Sequence, residues 1–298
     1  MVATWVLIAA AGYFLLAFTG ISDKFLVSKV VRQPIAYVFY TAVTGPFSMI
    51  LIPFGAKFLG WQDFLVALGA GVSFIFGIYF SYSAISRSSV SRVVPIQGGL
   101  VPLFVFLFAY LILGERLTAL QALGFVFLVT GAVIISVRKE HGIWTSKAFV
   151  YAAASSLFFA LTSVLTKYTF DHSNFISGMV WTRIGFILPV PFILLFKKNR
   201  QAIFNAPKEA GVKNVALYYS SRATATVGGF LQNYAVSLGS VSVVNALQGI
   251  QFVFLLMLTS FFSIYFPKVL KEKITAEIML LKIIAIAIIS CGLYLLFN

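Results

Sequence analysis

Two arginines set inside long apolar runs are the residues of this sequence best placed to do chemistry. Arg183 stands in Trp181-Thr182-Arg183-Ile184-Gly185, and Arg222 in Tyr218-Tyr219-Ser220-Ser221-Arg222-Ala223. A guanidinium stays charged at any physiological pH and offers a planar, two-pronged donor to a carboxylate or phosphate. A charge held in apolar surroundings is costly and points to function by default. Lys24 and Lys167 lie near the ends of two other runs. They either extend the same cationic lining or snorkel to a boundary, as Lys282 in the last run is expected to do. Uncharged polar side chains accompany them: Tyr82, Gln97, Asn233, Tyr234, Asn245, Gln248 and Gln251. Amides in an apolar interior need partners, which are either neighbouring helices or a bound solute.

The carboxylates tell the opposite story. Asp23, Asp63, Glu115, Glu140, Asp171, Glu209, Glu272 and Glu277 all fall at the ends of apolar runs or between them. None is placed to relay protons through an apolar interior or to balance an organic cation there. His141 and His172 both lie in connections, which leaves no nucleophile–base triad and no paired imidazoles for a metal. No G-x-x-x-x-G-K-[ST] string is present. One cysteine, Cys291, allows no intrachain disulfide. The residues therefore predict no catalytic site, no metal site and no cofactor. The expected ligand is a small anionic or zwitterionic molecule.

The elements that must hold these residues are dictated by hydropathy. The chain of 298 residues is 60% hydrophobic and only 10% charged, where a soluble domain carries about 25% charged residues. Ten apolar runs follow one another: Thr4–Phe25, Pro34–Phe54, Phe64–Ile85, Val93–Leu113, Ala119–Val137, Ala148–Tyr168, Phe175–Phe196, Val215–Val236, Val241–Phe266 and Met279–Leu296. Each approaches the roughly 20 residues a bilayer core demands. They are continuous rather than alternating and far longer than a barrel strand of about 10 residues, so an all-α membrane protein of ten transmembrane helices is expected. The first run lacks a basic prelude and a cleavage site and reads as a span, not a signal peptide.

The net charge of +14 sits mostly in short connections, which is a topological pattern rather than a nucleic-acid face. Sixteen Lys and Arg in and beside the odd-numbered connections, against three in the even-numbered ones, place the odd connections in the cytoplasm and both termini outside. The lipid bilayer is thus one expected partner, and the expected location is the cytoplasmic (inner) membrane of a prokaryote.

The chain also repeats itself. A gapless register offset by 151 pairs Ala84 with Ala235, Ser86 with Ser237, Ser89-Val90-Ser91 with Ser240-Val241-Ser242, Val93 with Val244, and Gln97-Gly98 with Gln248-Gly249. Ala17, Thr19 and Lys24 match Ala160, Thr162 and Lys167, and Glu115-x-x-Thr118 returns as Glu272-x-x-Thr275. With the polar stretch Arg138–Lys147 as boundary, residues 1–140 and 141–298 form two five-helix units. An odd number of spans per unit inverts the second copy, giving an inverted repeat of the kind found in secondary transporters. The copies differ where the fourth run has Pro95 and Pro102 and the ninth has Ala246 and Val253.

Val93-x-Pro95-Ile96, Pro102-Leu103-Phe104 and Leu111-Ile-Leu-Gly-Glu-Arg-Leu-Thr118, followed by a helix containing Gly124 and Gly131, resemble the EamA-type drug/metabolite transporter superfamily. The resemblance spans both repeats but is clearest in the first, because Glu272 is preceded by Lys271 instead of glycine. It implies a central cavity lined by the first, third, fourth, sixth, eighth and ninth helices, alternating access by rocking of the halves, and cytoplasmic termini, the last against the charge count. The expected function is secondary transport, as an exporter, of small polar metabolites such as amino acids or similar zwitterions. Lys24, Lys167, Arg183 and Arg222 would supply anion contacts, with Tyr82, Gln97, Asn233, Tyr234, Asn245 and Gln248 shaping the cavity. An exporter of organic cations and a non-transporting scaffold are the alternatives, and a homodimer is an open assembly state.

Overall fold

A computed structural model describes residues 4–29, 34–88, 90–136, 146–210, 212–265 and 276–297. The described residues are helical apart from short connections, and no strand occurs among them. The α-helices are α1 (Thr4–Lys29), α2 (Pro34–Thr44), α3 (Trp61–Ile85), α4 (Val90–Phe108), α5 (Ala119–Ser136), α6 (Ser146–Asp171), α7 (Phe175–Ile184), α8 (Val190–Leu195), α9 (Lys197–Ala210), α10 (Val212–Leu238), α11 (Val241–Ala246), α12 (Gln248–Tyr265) and α13 (Ala276–Phe297). The boundary expected at residues 140 and 141 and the second repeat's Glu272 lie outside the described residues.

Each apolar run coincides with a helix or with adjoining helical pieces. Prolines and caps explain the pieces. The second run passes from α2 into a 3-10 stretch, Gly45–Phe54, which carries Pro46 at its start and Pro53 within it; a proline cannot donate to an α-helical ladder. The seventh run breaks between α7 and α8 at Gly185–Ile187 and Pro189. Asn174 starts α7 by accepting a hydrogen bond from the Ser177 N–H at 2.8 Å, and Ser240 starts α11 by accepting one from Val243 N–H at 3.0 Å. Past the wide turn Ala109–Leu113, Gly114 adopts φ 67°, a left-handed conformation that ends the fourth run.

Six helical stretches are long and apolar enough to cross a bilayer, including Trp61–Ile85, Ser146–Asp171 and Phe175–Leu195, and three shorter apolar helices join them. The chain is an integral, multi-pass membrane protein. Helix α10 is as long but carries Arg222, Gln232 and Asn233 along its length, the mark of a helix with one wall turned away from lipid. One element departs from expectation. Lys197–Lys213 reads as a polar connection, yet its first 14 residues form α9. Its apolar residues are spaced for one helical face instead of forming a run. Ile203 on that face is fully buried, and its carbonyl accepts a hydrogen bond from Tyr40 Oη at 3.0 Å.

The tightest packings each join the first half of the chain to the second: α3 on α6, α1 on α10, α5 on α13, α4 on α6 and α1 on α12. Small residues permit this. A Cβ on Gly12 would meet Gly228 O at 2.9 Å, and one on Gly228 would meet Gly12 O at 3.0 Å, so α1 and α10 touch backbone to backbone. The main core cluster runs through Val6, Ala9, Tyr13, Val105, Val164, Val241 and Leu247, binding α1, α4, α6, α10 and α11 at one end of the bundle. At the other end, Ala84, Val93 and Ala152 pack only α3, α4 and α6 together.

Candidate functional site

A cavity of about 250 Å³ lies at mid-bundle, walled by α1, α3, α4, α6, α7, α10, α11 and α12. Arg183 reaches it from α7 because three elements come unusually close there. A Cβ on Gly71 of α3 would stand 2.2 Å from Thr182 O, and one on Gly185 would stand 2.5 Å from Leu68 O. A Cβ on Gly45 would stand 2.3 Å from Arg183 O itself. The backbone of α7 is therefore clamped between α3 and the 3-10 stretch, one residue from the guanidinium. That guanidinium lies over the Phe186 ring at 5.1 Å, a favourable cation–π geometry. It has no hydrogen bond or ion pair with any described residue, and it is the only formal charge on the cavity wall among them.

Polar groups in the wall divide into committed and available ones. The Gln97 amide nitrogen donates to Ser81 Oγ at 2.9 Å and to Ser155 Oγ at 2.7 Å, and Ser155 Oγ donates in turn to Gly77 O. Gln97 thus ties α4 to α3 and α6. Asn245 is 4% exposed; its amide nitrogen donates to Val241 O, and its carbonyl accepts from Ser163 Oγ at 3.3 Å. Asn233 donates to Gly229 O at 2.7 Å within its own helix, leaving its carbonyl oxygen free of that bond. Tyr13 Oη donates to Val244 O at 2.7 Å and accepts from the Gln232 amide at 3.1 Å. Gln248 and Gln251 line the cavity with no hydrogen-bond partner among the described residues. Those two amides, the Asn233 carbonyl oxygen, the Thr166 hydroxyl and Arg183 are polar groups of the wall available to a solute.

The other residues singled out in the sequence stand elsewhere. Lys167 is not in the wall; its Nζ lies 2.8 Å from Asp171 Oδ1, one helical turn along α6. Arg222 lies over the Tyr37 ring at 5.5 Å, and Tyr37 stacks on Tyr82 with centroids 3.8 Å apart. These three form a bridge from α10 to α2 and α3, outside the cavity lining. Tyr234 is 38% exposed and packs edge-on against Phe175. The side chain of Lys24 lies outside the described residues. Conversely, Tyr13, Ser163, Thr166 and Gln232 join the wall without having been marked as candidates. Gln232 was readable as the neighbour of Asn233, and Gln251 as the residue one turn from Gln248 on the same face. Nothing in the sequence distinguishes Tyr13 from the other aromatics.

These features define a helical, multi-pass membrane protein with a cavity whose wall mixes polar and apolar side chains. Residues 3–137 match the model of the EamA-like transporter family, the family that the Leu111–Thr118 motif and its surroundings resemble. The match, over the first half of the chain, points to a membrane transporter of small molecules. No curated protein matches the chain. A solved structure described as "Crystal structure of protein" shares the fold at a TM-score of 0.68 and 15% identity, over 99% of this chain and 97% of that one.

Proposed function

We propose that this protein is a secondary transporter of small polar metabolites carrying a carboxylate, working by alternating access through ten helices arranged as two inverted five-helix units. The observation that carries the reading is Arg183, a partly buried cation on the cavity wall with no counter-charge among the described residues. An anionic group on a solute would complete it. A volume of about 250 Å³, somewhat below the roughly 300–1,000 Å³ of pockets for drug-sized ligands, suits an amino acid or small organic acid. An organic cation finds no carboxylate in the wall among the described residues, and a scaffold has no use for a polar cavity.

The packing supports the repeat. Exchanging each span of one five-helix unit for its counterpart turns the α3–α6 contact into α10–α1 and the α4–α6 contact into α12–α1, while α5–α13 maps onto itself. The same contacts revise which bodies rock. Because the halves interlock, the moving units are α3 with α4 and α6, and α1 with α10 and α12, each drawn from both halves. On the charge count the odd-numbered connections, α9 among them, face the cytoplasm. The test is uptake and counterflow in proteoliposomes against a panel of amino acids, organic acids, phosphorylated metabolites and organic cations. Acids or amino acids should be carried, and Arg183→Gln should abolish their transport while leaving monodisperse protein. Carriage of organic cations alone would refute the reading.

A further inference from the structure

We propose that the cavity prefers small monocarboxylates over the α-amino acids of the same carbon skeleton, an inference that rests on the transporter reading above. The charge inventory carries it. Among the described residues the wall holds one cation, Arg183, and no anion. Of the carboxylates whose side chains are described, Glu115 accepts a hydrogen bond from Ser240, Asp171 pairs with Lys167, and Asp63 sits in the first turn of α3. A monocarboxylate brings the one negative charge that Arg183 lacks and leaves the filled cavity neutral. A zwitterion brings the same carboxylate together with an ammonium that must leave water without a carboxylate to receive it.

The alternatives open to an ammonium are poor. Cation–π capture would need a free ring face. Phe186 is already under the Arg183 guanidinium and stacks on Phe74 at 4.7 Å, and Phe74 also packs against Phe159. The amides of Gln248 and Gln251 and the Thr166 hydroxyl can accept hydrogen bonds. They serve a neutral hydroxyl or keto group equally well, at a far smaller desolvation cost than an ammonium carries. A dicarboxylate would leave its second charge unpaired for the same reason. The class that fits is a monoanion of about three to six carbons with a hydroxyl or oxo group beside the carboxylate.

The experiment compares matched pairs on the purified full-length protein by calorimetry: lactate with alanine, 2-oxoisovalerate with valine, and malate and choline as outgroups. In each pair the acid should bind at least tenfold more tightly, with malate and choline weaker still. Arg183→Gln should weaken the acids by tenfold or more and erase the difference within pairs. Should that variant not yield folded protein, Arg183→Lys keeps the charge and should retain the order of preference at lower affinity. Equal or tighter binding of the amino acids by the wild-type protein would overturn this inference and leave the transporter reading standing. Binding of choline alone, or of none of the probes, would overturn both.

Discussion

Substituting Gly71 with alanine tests whether the close contact between α3 and α7 is what presents Arg183 to the cavity. The added Cβ would stand 2.2 Å from Thr182 O and 2.7 Å from Gly185 Cα, where ordinary contact begins near 3.4 Å. Relieving the first clash requires the α7 backbone to withdraw by the difference, 1.2 Å. Both facing groups are backbone, so no side chain can rotate away. Overpacking of this kind costs about 1–3 kcal/mol, and Arg183 follows Thr182 directly, so its guanidinium shifts with the helix. A loss of about 2 kcal/mol in the aligned state weakens binding roughly 30-fold at 1.4 kcal/mol per decade. Gly69→Ala is the control on the same helix, because its Cβ would meet nothing nearer than Leu165 Cδ1 at 3.8 Å. Thermal unfolding in detergent and calorimetric titration with the transported solute should show a lowered melting temperature and lost affinity for Gly71→Ala, and neither for Gly69→Ala. If the two alanine variants behave alike, the clamp is not what positions Arg183.

Gln97→Leu and Gln248→Leu should separate structure from binding: the first breaks the link from α4 to Ser81 and Ser155 and lowers stability by about 0.6–1.7 kcal/mol, from the average to the largest value for a hydrogen bond between membrane helices. The second leaves the melting temperature in place and weakens solute binding. Lys167→Gln removes a partly exposed pair with Asp171, worth at most about 1 kcal/mol, and should leave transport rates at wild-type levels in proteoliposomes. Arg222→Gln removes the cation over Tyr37 without touching the cavity wall; equilibrium affinity should hold while the rate of counterflow changes, and a loss of affinity instead would put Arg222 in contact with solute.

What the sequence disclosed, and what it hid, follows from how each feature is encoded. Spans are written in uninterrupted hydropathy, so all ten runs have helical counterparts where residues are described. Helix α9 is written in spacing, with Ile203 turned inward among basic and polar neighbours, and a search for runs passes over it. Arg183 is legible because a cation in an apolar run is rare whatever surrounds it. Whether an amide faces the cavity or a neighbouring helix depends on tertiary neighbours. Gln97 and Gln248 align in the sequence register offset by 151, yet one binds Ser81 and Ser155 and the other has no partner among the described residues. The copies diverge because Ser81 and Ser155 flank only the first. Lys167 looked like a ligand by its repeat relation to Lys24, but Asp171, four residues on, captures it within its own helix.

The two ends of the cavity are packed unequally, and the asymmetry singles out one contact to test as a gate on the proposed alternating-access reading. The large core cluster through Tyr13, Val105, Val164, Val241 and Leu247 closes the end of the bundle served by the even-numbered connections. At that end Glu115, in the connection after α4, accepts a hydrogen bond from Ser240 at the start of α11. Toward the opposite end two described core clusters pack α3 with α4 and α6 and α3 with α2, Phe186 and α8, and neither contains a residue of α1, α10 or α12. On the alternating-access reading proposed above, opening this end breaks the Glu115–Ser240 bond. A hydrogen bond to a charged group is worth about 1.5–3 kcal/mol, so removing it should raise the open population by a factor of about 10 to 100. Glu115→Ala is the cleaner variant, because Ser240 also caps α11 through Val243 N–H and its loss would confound the result. With Cys291→Ser as background and Thr166→Cys as reporter in the wall, a membrane-impermeant maleimide applied at the even-connection face should label Glu115→Ala at least tenfold faster than the parent. Labelling from the other face should slow or stay constant, since the open states compete. An unchanged rate at the sealed face would mean that apolar packing alone closes this end and that the carboxylate merely caps a connection.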